Sequence, residues 1–240
     1  MFHFVARTFR SSIVPKPARV PVLILAAAAL VLVPSARAQF NVPAAGTQVH
    51  DPSVLKPPAG TRVAIVEWED MECPDCARAN PLLREAAAKY NLPWVRHDFP
   101  LPFHAWSMQA AINARWFDTK SKKLGDDYRD AVFANQNSIT SLDILAQFTQ
   151  KYAQDHGTAF PFAPDPQGKL VSEVKADYAL GQRVGIEHTP TIWVVTANSK
   201  GAPFVEVVDR SKLYQLIDQA LADTKASATP PPAPKHTASK

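Results

Sequence analysis

Val63-Ala64-Ile65-Val66-Glu67-Trp68-Glu69-Asp70-Met71-Glu72-Cys73-Pro74-Asp75-Cys76 holds the only two cysteines of the chain, two residues apart. The apolar run Val63–Val66, followed by Trp68, reads as a buried strand. After Cys73 the pattern turns helical, with Leu82, Leu83, Ala86 and Ala87 on one face up to about Tyr90. A strand that delivers two thiols to a helix N-terminus suits redox chemistry. The unpaired N–H groups and the positive end of the helix dipole stabilise a thiolate on the first cysteine. Lowering that pKa makes the sulfur reactive near neutral pH. Pro74 falls in the first turn, where no N–H is needed, and Asp75 completes the dipeptide.

Three other uses of such a pair compete. A structural disulfide closing so short a loop removes little entropy from the unfolded chain and stabilises weakly. A zinc site wants four ligands; there is no second cysteine pair, and His97, His104 and His188 are scattered. Covalent haem attachment needs a histidine directly after Cys76, where Ala77 stands.

The chain has 240 residues, 46% of them hydrophobic, enough to build a core and to argue against global disorder. Its pI of about 9.1 invites a nucleic-acid reading. Five of the 26 basic residues (Arg7, Arg10, Lys16, Arg19, Arg37) lie in residues 1–38, which carry no acidic ones, leaving 21 basic against 22 acidic residues. The basic character therefore belongs to the leader, and a nucleic-acid partner is not expected. That leader has a basic start, an apolar core from Val22 to Val33 and a small-x-small site at Ala36-Arg37-Ala38. It reads as a secretory signal cleaved after Ala38. The alternative is an uncleaved anchor, although the core is shorter than the roughly 20 residues a span requires. Either way the working domain is expected outside the cytoplasm, where a CxxC favours disulfide chemistry.

Residues 39–61 read as an extended lead-in with one short edge strand near Thr47–His50. Residues 62–100 hold strand, CxxC helix and a second strand at Pro93–Asp98, with Pro81 expected to kink the helix. Residues 101–185 are helical throughout, in segments near His104–Asp118, Lys123–Ala134, Leu142–His156 and Pro166–Gly185. Residues 186–224 give strands at Thr191–Thr196 and Pro203–Val208, a hairpin turn at Asn198–Gly201 and a closing helix at Asp209–Asp223. Residues 225–240, rich in Ser, Thr, Pro and Lys, are expected to be a disordered tail.

Glu67–Cys76, His97-Asp98-Phe99-Pro100-Leu101-Pro102-Phe103-His104 and Gly185-Ile186-Glu187-His188-Thr189-Pro190-Thr191 resemble the DsbA-like family. The resemblance spans about Arg62 to Asp223. It implies an α/β thioredoxin fold with an all-helical insertion between the second and third core strands. It further implies Cys73 as the exposed nucleophile, Cys76 as the buried resolving thiol and Thr189-Pro190 as a cis-proline loop facing Cys73. Pro74, Asp75, His188, Thr189 and Pro190 would meet substrate. Glu67 ends an apolar strand, an awkward place for a carboxylate. The resemblance makes it a buried acid that shuttles the proton of Cys76; the bland alternative is a strand-end carboxylate reaching water. Pro190, without Cys73, would read as an ordinary trans proline opening a strand. Arg62, Arg96, His97 and His104 are expected to be solvated, and Trp68 to be core.

One departure bears on reactivity. Strongly oxidising relatives carry His where this chain has Asp75. A carboxylate there, with Glu69, Asp70 and Glu72 nearby, is expected to disfavour the thiolate and make the protein a weaker oxidant than a CPHC relative. The chain is thus read as an exported thiol–disulfide oxidoreductase of the periplasm or cell envelope. It would act on unfolded or cysteine-containing exported proteins, be recycled by a membrane redox partner, and need no metal or organic cofactor. A reductase or isomerase of the same fold and a non-catalytic peptide-binding or chaperone module are the alternatives.

Overall fold

Seven consecutive buried residues, Val63–Glu69, form the strand β1. A strand hidden on both faces needs elements packed above and below it, and the rest of the chain supplies them. The computed structural model describes residues 46–197 and 203–227. The expected leader, the start of the lead-in, the Asn198–Gly201 turn and the tail beyond residue 227 lie outside them.

After β1 come α1 (Pro74–Tyr90), β2 (Trp94–Asp98), α2 (Ser107–Asp118), α3 (Lys122–Asn135), α4 (Leu142–Asp155), α5 (Lys169–Val184), β3 (Thr191–Thr196), β4 (Phe204–Glu206) and α6 (Leu213–Ser227). The sheet order is β2-β1-β3-β4, with β1 parallel to β2 and the other pairs antiparallel. This is the expected thioredoxin fold, with the four helices α2–α5 inserted between β2 and β3. Alternate residues of β1 serve opposite faces. Val63 and Ile65 pack with Leu83, Leu213 and Ile217 of α1 and α6. Ala64, Val66 and Trp68 pack with Phe99, Val184 and Trp193. Each such aliphatic side chain contributes about 1.5–3 kcal/mol on burial. A third cluster lies inside the insertion and reaches Met71, Cys73 and Cys76, so the turn that carries the cysteine pair is packed by inserted helices.

Several boundaries differ from expectation. Thr47–His50 forms no edge strand. The lead-in instead docks by the Thr47 N–H and hydroxyl donating to Glu206 (2.6 and 2.9 Å) and by His50 N–H donating to Val184 O (2.9 Å). Room for it exists because residue 185 is glycine: at its φ of +102° a Cβ would sit 2.4 Å from the Gln48 carbonyl oxygen. Helix α2 starts at Ser107, since residues 101–106 wrap around Asp70 instead, and α5 starts at Lys169, since Asp165 caps the amides of Leu170 and Val171 across a turn. The closing helix begins after a 3-10 turn at Arg210–Lys212 and runs on through Ser227, so the first residues of the expected tail are helical. Pro81 lies within α1 without ending it. Among the described residues no helix is long and apolar enough to cross a membrane.

Candidate active site

Cys73 is the N-cap residue of α1, with extended backbone (φ −76°, ψ 120°), and no side chain caps that helix end. Its amides are therefore left for the sulfur. Both cysteines are free thiols. The Cys73 thiol donates to the Thr189 carbonyl oxygen at 3.3 Å, and the Thr189–Pro190 peptide bond is cis. A residue 116 positions away thus forms the roof over the helix tip. The Cys73 pKa is drawn down from 9.0 to about 6. Hydrogen bonding from the Cys76 thiol is the main cause, followed by the Thr189 side chain and the backbone amides of Cys76 and Asp75, against the opposing effect of burial. Cys76 is fully buried, and its sulfur accepts from Asp70 N–H at 3.4 Å. Burial pushes its pKa well above the ordinary thiol value, helped by the Cys73 sulfur and the Glu67 charge.

Glu67 sits on β1 with 1% of its surface exposed, accepting from Trp94 Nε1–H at 3.0 Å. Burial and then the neighbouring Glu69 carboxylate raise its pKa to about 8, against Arg96 and Trp94. At neutral pH this carboxyl carries a proton next to a thiol that resists losing one. Asp75, in the first turn of α1, is gripped from two sides: Arg210 donates to its carboxylate at 2.7 Å and to its carbonyl at 3.2 Å, and Arg78 pairs with the same carboxylate at 3.1 Å. Asp75, His188, Pro190, Ile192, Glu206 and Arg210 line a groove of about 130 Å³ beside the proline loop. Among the described residues, no group of three or more His, Cys, Asp or Glu side chains is placed to hold a metal ion.

A thioredoxin sequence model matches residues 59–210, well over half of the chain. The chain belongs to the thioredoxin family. Among solved structures, this thioredoxin-family chain superposes on Wolbachia pipientis α-DsbA1 with a TM-score of 0.58 at 14% identity, covering 72% of this chain and 93% of that one. It also matches the thiol-disulfide exchange protein α-DsbA2 of Wolbachia pipientis (TM-score 0.53, 17% identity, 68% of this chain, 84% of that one). Proteus mirabilis ScsC in a transitional conformation gives a TM-score of 0.54 at 19% identity, covering 70% of this chain and 71% of that one. These likenesses are of fold, and they extend to the DsbA-like arrangement with its helical insertion. No curated protein matches the sequence.

On this thioredoxin-family frame the sequence-derived residues come together around one turn: Cys73, Cys76 and Glu67 below, Thr189 and Pro190 above, Asp75 and His188 along the groove. Pro74 and His188 are exposed. Cys73 is not the exposed nucleophile expected: it keeps 7% of its surface, because the helix tip is tucked between the proline loop and the inserted helices. Each carboxylate of the expected acidic field around it has partners of its own. Glu69 is chelated by Arg96 (2.8–3.1 Å). Asp70 is taken by Ser107, His104 and Leu101 N–H. Glu72 caps α2 by accepting from the amides of Trp106 (2.6 Å) and Ser107 (3.0 Å).

Arg96, His97 and His104 are likewise not solvated surface residues. Arg96 is buried between Glu69, Asn80 and Asp130. His97 stacks on Trp68 with 4.5 Å between centroids and pairs with Asp177. His104 bonds the buried Asp70 at 2.7 Å. Arg62 is exposed and Trp68 is core, as expected. Two residues escaped the sequence reading. Gln136, at the end of α3, donates to the carbonyls of Met71 (2.8 Å) and Cys73 (3.0 Å). Arg210 lies 135 positions from its partner Asp75. Neither sits in a motif, and no local signal marks them.

Proposed function

We propose that the protein is an exported thiol–disulfide oxidoreductase that exchanges a Cys73–Cys76 disulfide with cysteines of secreted or envelope proteins. The observation that carries this is the Cys73 sulfur at the bare tip of α1, depressed to about 6 and facing the Thr189 carbonyl of the cis-proline loop. A substrate thiolate attacks the Cys73 sulfur of the oxidised protein. The Cys73–Cys76 bond breaks, a mixed disulfide forms, and Cys76 leaves as a thiolate. Because the buried Cys76 thiolate is unfavourable, it takes a proton, and the protonated Glu67 carboxyl is the nearby donor. A second substrate thiolate then attacks the substrate sulfur of the mixed disulfide and expels Cys73, whose low pKa makes it a good leaving group. Two electrons pass from the substrate dithiol to the protein disulfide, and the protein ends reduced.

The groove that Pro190, Asp75 and His188 line, with His188 exposed at its edge, suits an extended substrate segment laid along the proline loop. The leader of residues 1–38 supports a location in the periplasm or envelope, and reoxidation there requires a membrane redox partner. A stabilised Cys73 thiolate favours the reduced protein and therefore the oxidising direction. The test is a Cys73→Ser variant assayed with a reduced dithiol peptide. Exchange is expected to fall to background while the fold is kept. A variant that retains exchange would take the chemistry away from Cys73, and a wild type that binds the peptide without turnover would make the protein a peptide-binding module.

A further inference from the structure

Asp75 is an unexpected group to find beside a sulfur that works as an anion, yet it does not stand alone. The carboxylate holds Arg78 from its own helix at 3.1 Å and Arg210, from the turn before α6, at 2.7 Å. Arg210 also donates to the Asp75 carbonyl at 3.2 Å, so its guanidinium is fixed against the first turn of α1 by two bonds. With both arginines in place the cluster carries one net positive charge at the end of the helix that already stabilises anions. Without Arg210 it carries none. The remaining ionisable groups near the turn come from other elements. Glu67 of β1 interacts with both sulfurs from below, and His188 of the proline loop and Glu206 of β4 line the groove, with Glu206 accepting from Thr47. Asp70 and Glu72 are consumed by Ser107, His104 and the start of α2.

We propose that Arg210 is a positioning residue that tunes the reactivity of Cys73 beyond what its hydrogen bonds supply, by converting the acidic dipeptide of the active-site turn into a net cationic one. Asp75 then serves as a bracket that gathers two guanidinium groups at the helix tip. This rests on the oxidoreductase reading of the same turn. The alternative role for Arg210 is a staple between the α6 side and α1, which would affect stability but leave the thiol alone.

The reduced full chain and its variants are titrated by thiolate ultraviolet absorbance and by the pH dependence of iodoacetamide alkylation at Cys73. Arg210→Gln is expected to move the titration up by roughly half to one pH unit, slowing alkylation near pH 6 about two- to sixfold. Arg210→Lys keeps the charge and is expected to stay close to wild type. Combining Asp75→Asn with Arg210→Gln restores one net positive charge through Arg78, so that protein is expected to return to the wild-type curve even though the bond to α1 is gone. An Arg210→Gln curve that overlays wild type, or a double variant that stays with the single one, overturns the proposal and leaves Arg210 a staple. A wild-type Cys73 that titrates only near the ordinary thiol value overturns both this role and the redox reading beneath it.

Discussion

Glu67 is a residue whose environment changes its chemistry. It is held at the sheet centre with one hydrogen bond, from Trp94, and its pKa rises to about 8 from 4.5. Between those values the folded chain keeps a proton that the unfolded chain has lost. Stability therefore falls as pH rises through this window, by up to ~1.4 kcal/mol per pH unit from this group. Glu67→Gln keeps the shape and the acceptor for Trp94 but cannot ionise. Its denaturant-derived stability is expected to exceed that of wild type by a margin that widens from about pH 5 to 8. Its exchange rate is expected to fall where Cys76 must be protonated. A constant margin across that range would mean Glu67 does not titrate there.

At the scale of elements, the Cys73–Cys76 turn is held by ends of helices rather than by one strong contact. Glu72 caps α2, so the residue that leads into Cys73 also anchors the insertion. Gln136 at the end of α3 holds the Met71 and Cys73 carbonyls from the other side. Helix α5 closes the far face through Gly181, where an added Cβ would come within 2.7 Å of the Phe99 ring and 2.8 Å of Trp68. Aromatic rings packed on both sides cannot yield as a flexible chain end would. Gly181→Ala is expected to destabilise the fold by about 1–3 kcal/mol in urea unfolding despite the better helix propensity of alanine. A neutral or stabilising outcome would show that α5 can slide away from the sheet.

Across the whole molecule, a buried charge network joins the thioredoxin sheet to the insertion. Arg96 of β2 bonds Glu69 of β1, Asn80 of α1 and Asp130 of α3, and stacks 4.3 Å from the Trp94 ring. Arg129 of α3 continues the network to Asp118, and Arg115 of α2 to Asp98 and Asp177. Removing a guanidinium from such a site strands a buried carboxylate. Arg96→Ala is expected to lose about 3–5 kcal/mol of stability, measured by chemical denaturation. A loss under ~1 kcal/mol, as for exposed ion pairs, would show that water reaches Glu69.

The sequence alone carried the chemistry-bearing pair, the strand and helix that present it, the proline loop and the helical insertion. The strands, helices and cysteine pair are written in neighbouring residues, as apolar runs, helical spacing and a strand–helix junction, whereas the proline loop came from the family resemblance, since Thr-Pro before a strand reads locally as an ordinary trans proline. What it could not carry is the sign of the electric field at Cys73. Counting Asp75, Glu69, Asp70 and Glu72 along the chain suggested a negative one. The folded protein hands every one of these carboxylates a partner from elsewhere, with Arg210, Arg96, His104, Ser107 and the start of α2 all far away in sequence. Periodicity is a local property and can be read locally, whereas a thiol responds to charges summed through space, and only the tertiary structure decides which of them stand beside it.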